Sequence, residues 1–193
     1  MQTMTMSTRN WSKLMLMMMA SLLFAVATAS AAIYSIPFFS QRNAAWSGQK
    51  LGTSTSTIGS AGCAMTCVAS VLKYRGADVD PGKLNMWLTK NGGYSNGNLI
   101  VWDKAATYNG TRWLTYEGGG TLGSLSQISS QLAQRKLIIA KSKRFAEHWV
   151  VIRGVTPDGT QGYYIDPYDL TIQQCRIGDG LVNVGTSTRV YRY

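Results

Sequence analysis

The stretch TIGSAGCAMTCVASVLKYRG, Thr57 to Gly76, decides how this chain is read. Ala64, Cys67, Val68, Val71 and Leu72 recur at i, i+3, i+4, i+7 and i+8, which is one buried helical stripe. Lys73 and Arg75 fall in the last turn, where cations complement the helix dipole, and Gly76 supplies the stop. The spacing predicts a central helix from Cys63 to Tyr74, packed on one face. Ahead of it, Gln41 to Gly62 is polar and rich in Gly, Ser and Thr. It reads as a long loop, and loops of that length in a compact domain are usually functional.

Cys63 stands where this loop enters the helix. Unpaired backbone N–H groups and the positive end of the dipole favour a thiolate there, and Gly62 gives a substrate close access. Free cysteine is also among the most buried residue types, a description that suits Cys67 on the stripe and not Cys63 at the helix mouth. His148 is the single histidine, so any Cys–His chemistry must use it. It opens the apolar run His148-Trp149-Val150-Val151-Ile152, a rigid strand start from which an imidazole can reach a neighbouring element. Asp166 ends Tyr163-Tyr164-Ile165-Asp166 and precedes Pro167. With a hairpin turning at Asp158-Gly159, antiparallel pairing returns Asp166 toward the His148 end, where a carboxylate can orient the ring.

The flanking chain supplies further elements. Ile33 to Ser40 reads as an edge strand, demoted by Pro37. Asp80 as cap and Pro81 at the first helical position start a helix that runs to Thr89 and ends at Gly92-Gly93. A weaker helix is expected over Asn98 to Thr107, a strand over Thr111 to Tyr116, an amphipathic helix over Ser124 to Gln134 and a strand over Leu137 to Ala140. His148–Val155 and Gly162–Ile165 form the hairpin, and Leu170–Ile177 and Arg189–Tyr193 add strands. Helices come first and an antiparallel sheet second, which is the α+β class.

The chain has 193 residues with a formal net charge of +10. Arg9 and Lys13 precede the apolar run Leu14 to Val26, which ends in Ala27, Thr28, Ala29, Ser30 and Ala31. A basic start, a short apolar stretch and small residues describe a secretory signal segment over 1–31, with one domain over 32–193. Secreted or periplasmic localisation follows, with membrane contact only through that segment. No cysteine near the cleavage region calls for a lipid anchor. Without Arg9 and Lys13, 17 basic residues face 9 acidic ones, a net +8. The basic residues are spread along the chain and match no nucleic-acid module; they suit an anionic envelope or simple solubility. Three cysteines leave at least one thiol unpaired, which flags a reactive thiol in an oxidising compartment. Cys175 is a candidate disulfide partner for Cys67. One histidine and no C-x-x-C leave too few soft ligands for a metal, and no cofactor is expected. Asn109-Gly110-Thr111 is set aside as a chance glycosylation triplet. Lys141, Lys143 and Arg144 read as a solvated loop, and the tryptophans as core and groove walls.

Taken together, IPFFSQRNAAW (36–46), TIGSAGCAMTCVASVLKYRG (57–76), EHWVVIRGV (147–155) and GYYIDP (162–167) resemble the bacteriocin-processing-peptidase-like branch of the papain-like cysteine peptidases. The resemblance covers most of the chain after residue 31, more loosely over Val79 to Thr121. It implies a papain-like fold with a helical half packed on an antiparallel sheet. It makes Cys63 the nucleophile, His148 the base and Asp166 the orienting residue. An oxyanion-stabilising Gln usually lies six residues before the Cys, where this chain has Thr57. Gln41 matches the strand-then-Gln context and takes that role, with Gln49 as the alternative. The implied reaction is hydrolysis of a peptide or isopeptide bond. Bacteriocin-processing relatives cut leader peptides and are fused to a transporter facing the cytoplasm. With a secretory segment ahead of the domain, envelope-linked or secreted peptides and proteins are the expected substrates instead. Two alternatives stay open: a catalytically silent peptide-binding module on the same fold, and a cell-wall peptide hydrolase or acyl transferase.

Overall fold

Leu137, Ile139, Trp149 and Val151 belong to one buried cluster, and the residues between them, Ile138, Ala140, Val150 and Ile152, to another. Successive strand side chains point to opposite faces, so these runs lack polar alternation because the sheet is covered on both sides. The computed structural model describes residues 32–193. The expected signal segment, 1–31, lies outside the described residues.

The two apolar runs are β4 (Lys136–Ser142) and β5 (His148–Val155), paired antiparallel with Ser142 opposite His148. β3 (Thr115–Thr121), β6 (Gly162–Ile165), β7 (Cys175–Arg176) and β8 (Ser187–Arg192) complete a six-stranded sheet in the order β3-β8-β4-β5-β6-β7. α1 (Ile58–Ala61), α2 (Cys63–Tyr74) and α3 (Pro81–Lys90) lie in the helical half, followed by the small hairpin β1 (Tyr94–Ser95)–β2 (Leu99–Ile100) and α4 (Trp102–Ala105). α2 packs on β5 and on α3, while α5 (Leu125–Ala133) covers the opposite face of β4 and β5. The protein is thus an α+β structure of papain-like arrangement, a helical half packed on an antiparallel sheet.

Three of the expected helices form where local signals place them. α2 spans Cys63–Tyr74, and Gly76 follows it at φ +93°. α3 opens at Asp80, whose carboxylate accepts from the Lys83 N–H, with Pro81 in the first turn. Ser124 caps α5 with a reciprocal Gln127 bond. α2 is buried far beyond one stripe, since Met65, Thr66, Ala69 and Ser70 are buried as well, while Ala64 is only half-buried and faces the cleft. It is a central helix with neighbours on most sides. Each of its fully buried Val and Leu side chains contributes roughly 1.5–3 kcal/mol over an exposed one.

Several expected elements differ. Ile33 to Ser40 forms no strand; only Ile33 bridges to Gly154 before the chain turns away along Pro37. The loop before Cys63 contains α1, capped by Thr57 in a capping box with Ser60. The helix expected over Asn98 to Thr107 shrinks to Trp102–Ala105, because Asn96-Gly97 (φ +47° and +85°) turns the β1–β2 hairpin. The strand expected over Thr111 to Tyr116 starts at Thr115 and continues through Gly118–Gly120, held by its ladder with β8 despite the weak strand propensity of glycine. Of Leu170 to Ile177, only Cys175–Arg176 pairs, and Leu170 and Ile172 are exposed.

Gly154 is the glycine this sheet requires. Its φ is +150°, at a bulge between Ile152 and Gly154, and a Cβ there would strike the Ala32 carbonyl and the Ile33 backbone. The entering chain crosses β5 at this point, with the Tyr34 N–H donating to the Arg153 carbonyl at 2.8 Å. Gly154→Ala should cost about 1–3 kcal/mol from backbone strain alone. Urea unfolding reads the loss; an unchanged midpoint would show that the crossing does not constrain β5.

Candidate active site

The two halves meet at the mouth of α2. No side chain caps this helix at Gly62, which leaves its first-turn N–H groups without a side-chain acceptor. Gly62 itself is there for packing: its φ is −85°, and a Cβ would meet the Ile58 carbonyl at 2.5 Å. The expected role in substrate access thus gives way to the tight junction between α1 and α2. Cys63 is 7% exposed and lines a cleft of about 980 Å³ together with Gln41, Ala64, His148 and Trp149. Its thiol donates to the Glu147 carbonyl at 3.5 Å and lies within hydrogen-bonding reach of the His148 ring.

His148 is the first residue of β5 and is 2% exposed. Its Nε2 is 2.6 Å from Asp166 Oδ1, which leaves Nδ1 as the nitrogen free for Cys63. Asp166, also 2% exposed, follows the end of β6, and the hairpin register returns it beside the start of β5. The structure therefore brings Cys63, His148 and Asp166 into one chain of contacts. Burial works against the charged imidazolium. The hydrogen bonds and charges of Asp166 and Cys63 outweigh it and raise the His148 pKa from 6.5 to about 9. Burial likewise opposes the Asp166 carboxylate, and His148, the Tyr168 N–H and Arg144 more than reverse that, holding its pKa below the ordinary value.

Both shifts bear on the fold's response to pH. The raised imidazole stabilises the fold most below about pH 6.5, and that contribution is lost as pH rises through about 9. The depressed carboxylate stabilises it above the ordinary value of 3.8, and that contribution is lost as pH falls.

Gln41 also reaches the site. Its backbone N–H donates to the Pro167 carbonyl at 2.7 Å, tying it to the turn that follows Asp166. Its side-chain Nε2 donates to the Gly59 carbonyl at 3.0 Å and keeps a second N–H, while Oε1 is buried without a partner. Gln49 is placed elsewhere: its amide sits against Gly82, at the start of α3.

Four residues here carry no pattern in the sequence. Arg144 was expected in a solvated loop; its Nη1 instead donates to Asp166 Oδ2 at 3.0 Å and to Asp169 Oδ1 at 2.7 Å. Phe145 and Tyr168 pack edge-on to the His148 ring, at 5.3 and 6.2 Å, and against each other at 4.8 Å. All four lie within four residues of His148 or Asp166, which is the only hint their positions offer. Among the described residues no group of His, Cys, Asp or Glu side chains is placed to hold a metal ion. No described helix is long and apolar enough to cross a membrane.

Residues 33–179 match the Peptidase_C39 like family. The chain belongs to the Peptidase_C39 like family, a cysteine-peptidase family. No curated protein matches it in sequence.

The three thiols of this family member are all free. Cys67 donates to the Trp149 carbonyl at 3.3 Å within the α2 face, whereas Cys175 packs on the cluster behind the sheet, so the two do not pair. Burial pushes the Cys67 thiol well up, helped by the charges of Cys63 and Asp166, and burial also raises Cys175. A small alkylating agent at about pH 6 should therefore modify the protein once and fastest at Cys63, the thiol beside a chargeable imidazole. His148→Ala should slow that reaction. Peptide mapping locates the adduct, and first modification at Cys67 or Cys175 would contradict the arrangement.

Proposed function

We propose that this protein is an exported cysteine peptidase that hydrolyses peptide or isopeptide bonds, with Cys63 as nucleophile, His148 as acid–base and Asp166 as the orienting carboxylate. The observation that carries the reading is His148 held between the Cys63 thiol and the Asp166 carboxylate at the wall of an open cleft. Export rests on the basic, apolar and small-residue pattern of residues 9–31. Within the family, the quoted motifs favour the bacteriocin-processing-peptidase-like branch, and the export segment favours secreted or envelope-linked substrates over leader peptides.

Each step has a residue. His148 Nδ1 carries the proton relinquished by Cys63, and the sulfur attacks the scissile carbonyl carbon. Negative charge gathers on the carbonyl oxygen, where the free Gln41 Nε2–H and the Cys63 backbone N–H receive it. The imidazolium then protonates the leaving amine, giving an acyl-enzyme. Water, deprotonated by the same imidazole, attacks the thioester and releases the acid. Asp166 holds the ring in the tautomer that presents Nδ1 to sulfur and offsets the imidazolium charge. Arg144 keeps Asp166 ionised and fixed.

His148→Ala and Cys63→Ala should remain folded and lose turnover of peptide substrates, measured by release of a fluorescent product. Gln41→Ala should fall by about 100- to 1,000-fold in kcat, the usual cost of one oxyanion donor, while Gln49→Ala stays near wild type. The reverse pattern would transfer the role to Gln49.

The pH profile gives an independent check. Above about pH 9 the imidazole loses its proton and can no longer protonate the leaving amine, so kcat/KM should decline there. Asp166→Asn removes a large raising influence on His148 and should move that alkaline limb to lower pH. A limb that stays in place would remove Asp166 from the triad.

A further inference from the structure

Cys63 and His148 stand between two unlike walls of the cleft. Gln41, Phe145 and Tyr168 gather on one side. Trp102, Trp149 and Arg189 gather on the other. The two indoles meet at 5.2 Å, and the Arg189 guanidinium carbon lies 5.0 Å from the Trp149 ring and 5.7 Å from the Trp102 ring. Such stacking fixes a guanidinium in place while leaving its edge open to acceptors.

The charge of Arg189 is unanswered within the protein. Among the described residues it takes part in no ion pair, although eight are formed elsewhere. Its one hydrogen bond runs from Nη1 to the Thr188 carbonyl at 2.8 Å, which leaves most of its five N–H donors unused. The neighbouring cation on Trp149, Lys141, is already held by Glu147 at 2.7 Å. That pair also neutralises Glu147, the one acidic side chain lining the cleft. Beneath Arg189, Gly119 clears the space: a Cβ there would meet Nη1 at 2.7 Å. A half-buried cation, resting on two aromatic rings and facing the cleft, is free to receive an anionic partner from outside the chain.

We propose that Arg189, clamped by Trp102 and Trp149, is a specificity subsite that takes a carboxylate of the peptide being cleaved. The proposal rests on the peptidase reading above and adds to it the chemical class of substrate. A planar fork suits a carboxylate through two parallel N–H···O bonds, whereas the indoles accommodate the apolar stem that carries it. The carboxylate has two sources, an acidic side chain or the free C-terminus of the substrate.

The test uses blocked alanine- and glycine-rich octapeptides in which one glutamate or glutamine is moved through every position, each with a free or an amidated C-terminus. Binding is read on the Cys63→Ala protein by the fluorescence of the two cleft tryptophans, and cleavage on the wild type. One charge-assisted bidentate contact should favour the carboxylate member of a pair by about 10- to 100-fold. Preference for glutamate at a single internal position identifies a side chain, and preference only for the free over the amidated C-terminus identifies the terminus. Arg189→Gln should erase the preference and Arg189→Lys should keep part of it, because charge survives without the fork. Added salt should weaken it in the wild type. Equal or unmeasurable binding of both members, or a preference that persists in Arg189→Gln, overturns the subsite. If Cys63→Ala binds carboxylate peptides through Arg189 but the wild type cleaves none, the peptidase reading fails and the subsite stands.

Discussion

The protein depends on the register between α2 and β5. Cys63 donates to the Glu147 carbonyl, and Cys67, one helical turn later, donates to the Trp149 carbonyl. Four residues of helix rise about 6 Å, and two residues of strand advance about 6.7 Å. The helix and the strand can therefore run side by side with their sulfurs in step with alternate carbonyls. That match fixes which residue of β5 faces the mouth of α2, and the residue between the two carbonyls is His148. A shift of one residue along the strand would carry the imidazole away from the thiol. Cys67 accordingly belongs to the scaffold: a small side chain with a weak donor, buried where a larger residue would push the helix off the strand.

A second constraint follows from burying charge at that junction. Asp166 and His148 are both almost without solvent contact, and an isolated ion there would cost several kcal/mol. The site answers by filling the carboxylate's acceptor positions. Oδ1 receives the ring and the Tyr168 N–H, and Oδ2 receives Arg144, which is held in turn by Asp169. Phe145 and Tyr168 close over the ring edge and keep water from competing for it. The guanidinium groups of Arg42 and Arg144 lie over Tyr168, at 4.8 and 5.0 Å, so two cations hold the shield in place. A polar network this complete holds one geometry.

What the sequence made legible was whatever short-range chemistry dictates. Asp80-Pro81, Gly76 and the Asp158-Gly159 turn each act within a few residues, and the elements they bound appear where expected. Cys63, His148 and Asp166 lie close together because the helix mouth and the hairpin are local features whose ends converge. Elements governed by distant partners were missed. β3 runs through three glycines that no propensity would choose, and it exists because β8 offers a complete ladder. Asn96-Gly97 is a faint hairpin signal, since its flanking strands are only two residues long. Arg144 looked like a solvated cation because its two carboxylates lie 22 and 25 residues further on.

Gln41 lies 22 residues before Cys63 in the chain and yet lines the same cleft. The expected position, six residues before Cys63, holds Thr57, which is occupied as the cap of α1. The intervening chain folds back upon itself: Lys50 bridges Thr57, the Ile58 N–H donates to the Gln49 carbonyl, and the Gly59 N–H donates to the Ser47 carbonyl. The excursion therefore begins and ends near the same point, and Gln41 Nε2 comes within 3.0 Å of the Gly59 carbonyl although 18 residues separate them. Closing a longer loop costs little, because the entropy of closure grows only with the logarithm of its length. Spacing along the chain is thus a weak guide to which residues meet at the cleft. Anchoring decides it instead: Gln41 is tied through Pro167 to the same turn that carries Asp166.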